Sequence, residues 1–394
     1  MKKLVLLSSF LIANFAISQT VLDSTKTDQQ VNSAQRMMSK ADKKLTVGGY
    51  GEITYNQPET QNGELDVQRL VMMFGYKFSD KVQFFTEIEY EHVKEVFVEQ
   101  AFVNYAVGDN ISVRGGLMLV PMGIINEYHE PTTFNGVERP GVDNKIVPTT
   151  WREIGVGVNG RIPDLDLSYQ AYIFNGFKSA EADGEDINGL LKGSSGLRGG
   201  RQKGIQSTVS TPTLSAKFDY YGILGLRMGL SGYFGKTQAD DKIEDIDGTT
   251  IGIAMVGFDA RYNYKKFEAR GEFIYTSLSD TEEYNELTGN DDLSKNLGSA
   301  LMGYYGEIGY NVLPLSAKQR LVAFARYENY DTHADTEDSF VVRNDEYNRN
   351  DITFGLSYHI VDGVVVKGDY QIKDNASSGA DVNNQLNFGI GVWF

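Results

Sequence analysis

The side chains in this chain with chemistry to offer are charged residues set at alternate positions. Arg114, Lys217, Arg227, Arg261, Arg270, Arg326 and Lys367 each stand on the polar side of a stretch in which apolar and polar residues alternate. Glu52, Glu87, Glu89, Asp166, Asp219, Asp259, Glu268, Glu272, Glu307, Glu328 and Asp369 occupy the same side. Rings of basic side chains around an aqueous pore favour anions and rings of acids favour cations. This set is mixed, so it fits a wet wall of paired charges as well as a selective one. A basic charge on a lipid face costs roughly 2–4 kcal/mol at midplane, so facing inward needs no functional explanation by itself.

Other chemistry finds less support. Of the four histidines, His92 and His129 fall in loops, His333 in an acidic loop, and His359 beside Ser357 on a polar face. Nucleophilic catalysis needs a nucleophile, a base and an orienting group within hydrogen-bond reach. No Ser, His and acid combination here has a recognisable spacing, so no catalytic residue is expected. Nor do the histidines and carboxylates suggest a metal-ligand cluster, and no glycine-rich cradle follows a strand and opens a helix. No metal or cofactor is expected. Asp240-Asp241 to Asp247 and Asn290-Asp291-Asp292 gather oxygens but lack the spacing of a calcium loop, and read as solvated surface.

The elements that carry these charges read as strands. From Leu45 the apolar period is two: Leu45, Val47, Gly49, Gly51, Ile53 and Tyr55 share one face, and Thr46, Gly48, Tyr50, Glu52 and Thr54 the other. Similar segments recur at about 64–78, 81–91, 97–107, 110–119, 153–161, 165–175, 213–221, 224–235, 252–264, 266–277, 301–311, 319–330, 351–360, 363–372 and 383–394, making sixteen in all. Tight turns such as Ser79-Asp80, Gly108-Asp109 and Val361-Asp362 alternate with longer connections, notably 120–152, 176–212, 236–251, 278–300 and 331–350. Transmembrane barrels alternate in this way, with short periplasmic turns, long external loops and an even strand count. The expected fold is therefore an all-β, closed antiparallel transmembrane barrel of about sixteen strands. A mean hydropathy of −0.33 is no obstacle, because lumen-facing polar residues offset lipid-facing apolar ones.

The two ends agree. Met1-Lys2-Lys3, the apolar run Leu4 to Phe15 and the small residues Ala16-Ile17-Ser18 read as a signal peptide over 1–18, which directs the chain out of the cytoplasm. Residues 19–44 read as a mobile periplasmic extension with one short helix, and 45–394 as the barrel. In the last strand Leu386, Phe388, Ile390, Val392 and Phe394 share a face, and closure requires that strand to pair with the first. The tail Gly391-Val392-Trp393-Phe394 resembles the one read by the barrel-assembly machinery, which makes that machinery an expected partner, along with outer-membrane lipid.

One loop stands apart. The segment 117–161 holds Pro121, Pro131, Pro140 and Pro148, half of all the prolines, with Ile124, Ile125, Tyr128, Phe134 and Trp151. So apolar a loop is built to pack, and the barrel interior is where it can. Its charged residues Glu127, His129, Glu130, Arg139, Lys145 and Arg152 are the expected constriction.

The chain here resembles the bacterial porin family that includes the phosphate-selective porins of Bacteroidetes-type bacteria. The likeness rests on Arg114-Gly115-Gly116, Pro121-Met122-Gly123, Asn126 to Pro131, Glu138-Arg139-Pro140 and Pro148 to Gly157. It extends loosely over 45–394. It implies a sixteen-stranded channel whose third loop folds inward, a homotrimer, and passive diffusion of small hydrophilic solutes or inorganic ions, with phosphate as one such anion. The ladder of basic residues on which phosphate selectivity depends in that family is not evident in this sequence.

Removing Lys2 and Lys3 with the signal takes the formal charge from −16 to −18, which excludes nucleic acid as a natural partner. Loops 236–250, 278–300 and 331–350 carry 17 acidic and 5 basic residues, and such runs are solvated faces rather than selectivity filters. The alternative reading is a barrel that conducts nothing and acts as an adhesin through those loops. A gated receptor is excluded, because it would need about 22 strands and a plug domain.

Overall fold

The computed structural model describes residues 31–39, 44–184, 186–288, 296–337, 341–378 and 383–394. The signal peptide, most of the N-terminal extension and the Asn290-Asp291-Asp292 cluster lie outside the described residues.

The alternation of side chains becomes strands because each strand can bury one face and expose the other. In chain order they are β1 (Leu45–Pro58), β2 (Glu64–Lys77), β3 (Val82–Glu91), β4 (Glu95–Gly108), β5 (Ile111–Leu119), β6 (Arg152–Ile162) and β7 (Leu167–Phe174). There follow β8 (Lys178–Asp183), β9 (Asp186–Gly189), β10 (Thr213–Ile223), β11 (Leu226–Lys236), β12 (Gln238–Ala239) and β13 (Gly252–Tyr264). The last are β14 (Phe267–Ser279), β15 (Ala300–Asn311), β16 (Arg320–Asp335), β17 (Asn348–Val361), β18 (Val364–Asn375) and β19 (Gln385–Trp393). All but β8, β9 and β12 join one closed barrel, in which every pair is antiparallel and β19 returns to β1. That is sixteen strands, as expected. The other three form a small separate sheet built from two of the long loops, which the sequence did not announce.

Closure is made by Tyr50 opposite Trp393 through to Pro58 opposite Gln385. Phe394 extends the pairing by exchanging backbone hydrogen bonds with Gly49, at 2.9 and 3.1 Å. The neighbouring hairpin turn brings Gly363, with φ +84°, against the closing strand, where a Cβ would stand 2.2 Å from the Trp393 carbonyl oxygen. Only glycine fits there.

Outside, Val47, Ile53, Ile154, Ile173, Phe258, Ile308, Phe354, Leu386, Phe388 and Ile390 are all exposed and form an apolar belt. An outward apolar face on a barrel with no free edge is what lipid selects, since every backbone polar group is then satisfied within the wall. The chain is a membrane-spanning barrel.

The interior holds two further pieces. The third loop, 120–151, is buried along most of its length and includes the short helix α2 (Val142–Lys145). Below it, α1 (Ser33–Ser39) buries Ala34 and Met37 in the same core, while Arg36 stacks 4.3 Å from the Trp393 ring. The extension was expected to be mobile. Its helix is instead seated among β1, β2 and β3, because Met37 finds room beside Gly48 and Gly75, which have no side chains. A third helix, α3 (Thr281–Leu287), lies in the external connection between β14 and β15.

Candidate functional site: the third loop within the barrel

The loop crosses the lumen and bonds to the wall along its path. Lys217 donates to the Gly123 carbonyl at 2.6 Å, and Glu272 accepts the Ile124 N–H at 2.6 Å. Gly123 has φ +69° and approaches so closely that a Cβ would lie 2.7 Å from Glu272 Oε1. Further on, Asn135 donates to Glu268 and Glu307, Val137 N–H to Asp369 at 2.6 Å, and Gly141 N–H to Glu328. Lys367 donates to the Gly136 carbonyl at 2.8 Å with its ammonium 3.9 Å from the centre of the Phe134 ring. Wall carboxylates thus satisfy loop N–H groups, and wall cations satisfy loop carbonyls. A segment without regular structure can be buried only on these terms.

Most inward charges are paired. Lys217 bridges Glu127 at 3.1 Å and Asp259 at 3.2 Å. Arg227 meets Asp219 at 3.0 Å, Arg270 meets Glu307 at 3.1 Å, and Arg326 meets Glu307 and Glu328 at 3.5 and 3.2 Å. Arg69, which the sequence did not single out, joins Glu52 at 2.7 Å and Glu89 at 3.8 Å. Arg114 and Arg261 take aromatic partners instead, Phe102 at 4.3 Å and Tyr128 at 3.9 Å. One assignment fails. Asp166 does not face the interior; it is exposed, left-handed at φ 51°, and ends the turn between β6 and β7. The polar periodicity had been carried two residues too far toward that turn.

The constriction candidates divide into three groups. Glu127 belongs to the Lys217 cluster and also accepts from Gln170 at 2.8 Å. His129 and Glu130 are fully buried at the foot of the loop, where Glu130 accepts the Ser33 N–H of α1 at 3.2 Å. There His129 meets Glu87 and Glu99, with ring nitrogen and carboxylate oxygens within 4.8 Å of one another. This overturns the expectation that histidines and carboxylates form no ligand-like cluster. Glu99 on β4 had not been singled out, and strand pairing and loop infolding join three sites that sequence spacing separates. Burial alone would lower the His129 pKa, but Glu99 and Glu87 hold it well above the ordinary histidine range.

Arg139 donates to the His129 carbonyl at 3.5 Å and stands between that cluster and Arg198, whereas Lys145 and Arg152 belong with cations that the sequence reading missed. Arg201 donates to the carbonyls of Pro148, Thr149 and Thr150 at 3.2, 2.9 and 3.3 Å, and to that of Arg198 at 3.1 Å. Arg198 donates to the Thr149 carbonyl. Arg152 and Lys203 flank the Phe97 ring at 5.6 and 5.3 Å. Among the described residues, none of Arg139, Arg152, Arg198, Arg201 and Lys203 has a carboxylate within 4.0 Å. Burial and like charge press together on Arg139, Arg198, Arg201 and Lys203. Arg201 is pushed down by desolvation and then by Arg198 and Arg152, and Lys203 by desolvation and then by Arg201 and Arg152. The run Arg198-Gly-Gly-Arg201-Gln-Lys203, basic within an acidic chain, was the available signal. Arg114 is not part of this group, since it lies five residues along β5 from Leu119, the partner of Arg152.

No protein-family model matches the sequence. A protein of Aquifex aeolicus described as uncharacterised is 32% identical over 352 residues, covering 84% of this chain and 76% of that one. Among solved structures, the anion-selective porin of Comamonas acidovorans superposes with a TM-score of 0.57 at 12% identity, over 89% of this chain and 99% of that one. The outer-membrane channel DcaP of Acinetobacter baumannii gives 0.56 at 12% identity, over 89% and 97%. OmpT of Vibrio cholerae in its trimer form gives 0.54 at 9%, over 89% and 99%. These likenesses concern the fold. The chain belongs to the family of the Aquifex aeolicus protein, and its barrel has the fold of the outer-membrane porins.

Proposed function

We propose that this protein is an outer-membrane porin through which small hydrophilic solutes and inorganic ions diffuse passively, with a preference for anions such as phosphate. The observation that carries the preference is the group Arg139, Arg152, Arg198, Arg201 and Lys203, partly or fully buried beside the third loop and lacking carboxylate partners. Cations crowded without counter-ions favour an anion from solution, and arginine binds phosphate oxygens in a bidentate fork. The channel-lining role falls to Arg114, Lys217, Arg227, Arg261, Arg270, Arg326, Lys367, Glu87 and Asp259. Of these, Lys217, Arg227, Arg270 and Arg326 are neutralised by carboxylates and Arg114, Arg261 and Lys367 are each held against a single aromatic ring, so the crowded cations beside the third loop are the ones placed to draw an anion. The resemblance to phosphate-selective porins supports the same reading, and it carries with it a homotrimer.

A second reading has its own support. The third loop and α1 fill so much of the interior that the inward charges are almost all buried, as suits a barrel that conducts nothing and presents its acidic loops to a surface partner. Purified protein in planar bilayers separates the two. A porin gives stepwise conductance, and millimolar phosphate reduces the chloride current through it. A barrel that opens no pore under any voltage or salt is the adhesin.

A further inference from the structure

Tyr50 on β1, Glu87 on β3, Glu99 on β4 and His129 of the third loop meet where the loop presses against the wall, and all four are fully buried. His129 Nδ1 lies 3.1 Å from the Asn126 carbonyl oxygen, so its N–H donates there. That leaves the Nε2 lone pair facing Tyr50 Oη at 2.8 Å, Glu99 Oε2 at 3.5 Å and Glu87 Oε1 at 3.8 Å. The other Glu87 oxygen is held by Gln100 Nε2 at 2.7 Å. Tyr50 Oη is also 3.3 Å from Glu99 Oε2, so one hydroxyl proton serves two acceptors.

Glu87 Oε1 and Glu99 Oε1 are buried and have no hydrogen-bond partner among the described residues. In the neutral ring an imidazole lone pair and two carboxylates converge with a single proton among them, and in the doubly protonated ring, which the two carboxylates favour, the Nε2 proton fills the same gap. Buried acceptors left facing one another are costly, and a cation placed between them removes the cost. The donor set identifies which cation. A histidine whose second nitrogen is fixed by a backbone carbonyl is oriented as metal-ligating imidazoles are. One nitrogen and two carboxylate oxygens suit zinc and the neighbouring divalent transition metals better than calcium or magnesium.

We propose that His129, Glu87 and Glu99 bind one divalent transition-metal ion, with Tyr50 Oη beside it, and that the ion clips the third loop to β3 and β4. Gln100 then orients the Glu87 carboxylate, and Asn126 fixes the imidazole tautomer. The occupant that competes is a second proton on His129.

The test uses the full barrel without a histidine tag, purified in detergent, stripped by chelator and titrated with Zn²⁺ at neutral pH. Calorimetry and elemental analysis after desalting are expected to give one zinc per chain. Glu87→Gln and Glu99→Gln each weaken binding about 10-fold or more, the double variant loses it, and His333→Ala leaves it unchanged. Zinc X-ray absorption of the wild type, which needs no variant to fold, is expected to show one imidazole nitrogen with oxygens. A wild type that retains no zinc means that the site holds a proton, and the proposal falls. It falls equally if the double variant keeps its zinc, or if absorption shows several imidazoles.

Discussion

At the scale of single residues, the loop is held by charges that have few substitutes. Lys217 is fully buried between Glu127 and Asp259 and donates to the Gly123 carbonyl as well. Removing one member of a buried, hydrogen-bonded charge group costs about 3–5 kcal/mol, because the remaining charges are left uncompensated. Lys217→Met is therefore expected to lower the urea midpoint of refolded barrel and to raise current noise as the loop loosens, whereas Lys236→Met, outside this charge group, changes neither.

Asp143 provides a pH handle. Burial, with Glu328 adding to it, pushes its carboxyl up to about 7. The groups around it are Glu328, Arg139, Arg326, Glu272 and Tyr305. An acid whose pKa is raised in the docked loop holds its proton more tightly there than when released. Docking is then strongest below the ordinary carboxylate range and weakens as pH rises from about 4 to about 7. Burial displaces Glu130 and Glu138 of the same loop in the same direction. Single-channel recordings should show open probability rising over that window, and Asp143→Asn should flatten the rise. A profile that falls over the window, or that is identical in the variant, would contradict this.

At the scale of elements, the third loop and α1 occupy the lumen. Gly123 permits a close approach of the loop to β14, with a positive φ and Glu272 where a Cβ would be. Gly123→Val should displace the loop and increase conductance with little effect on barrel assembly, measured by heat-modifiable migration on gels. Deleting 20–39, and with it α1, should also increase conductance, because Ala34 and Met37 pack into the same core as the loop. The strands themselves were legible in the sequence, since period-two alternation is written locally. The loop's inward fold was legible from its prolines and aromatics. The small sheet of β8, β9 and β12 was not, because β8 and β12 pair across some sixty residues of chain, and neither carries the alternation of a membrane strand. Nor was the seating of α1, whose few apolar residues gain meaning only opposite Gly48 and Gly75. The same limit hid Glu99, whose partners Tyr50 and His129 lie tens of residues away, and the docking of Arg198 and Arg201 on the Pro148 and Thr149 carbonyls.

At the scale of the whole molecule, the closed wall, the apolar belt and the third loop make a barrel that sits in lipid with its charge chemistry inside. Its net charge of −16 lies heavily in the external loops and says little about what passes within. On the proposed function, selectivity rests on the few cations that lack carboxylate partners among the described residues. Reversal potential in a KCl gradient across a planar bilayer tests this most directly, for the wild type and for the double variant Arg198→Ala with Arg201→Ala. The wild-type potential is expected to have the sign that chloride permeation gives, and to move toward zero or reverse in the variant. A cation-selective wild type, or a variant whose potential does not move, would contradict it.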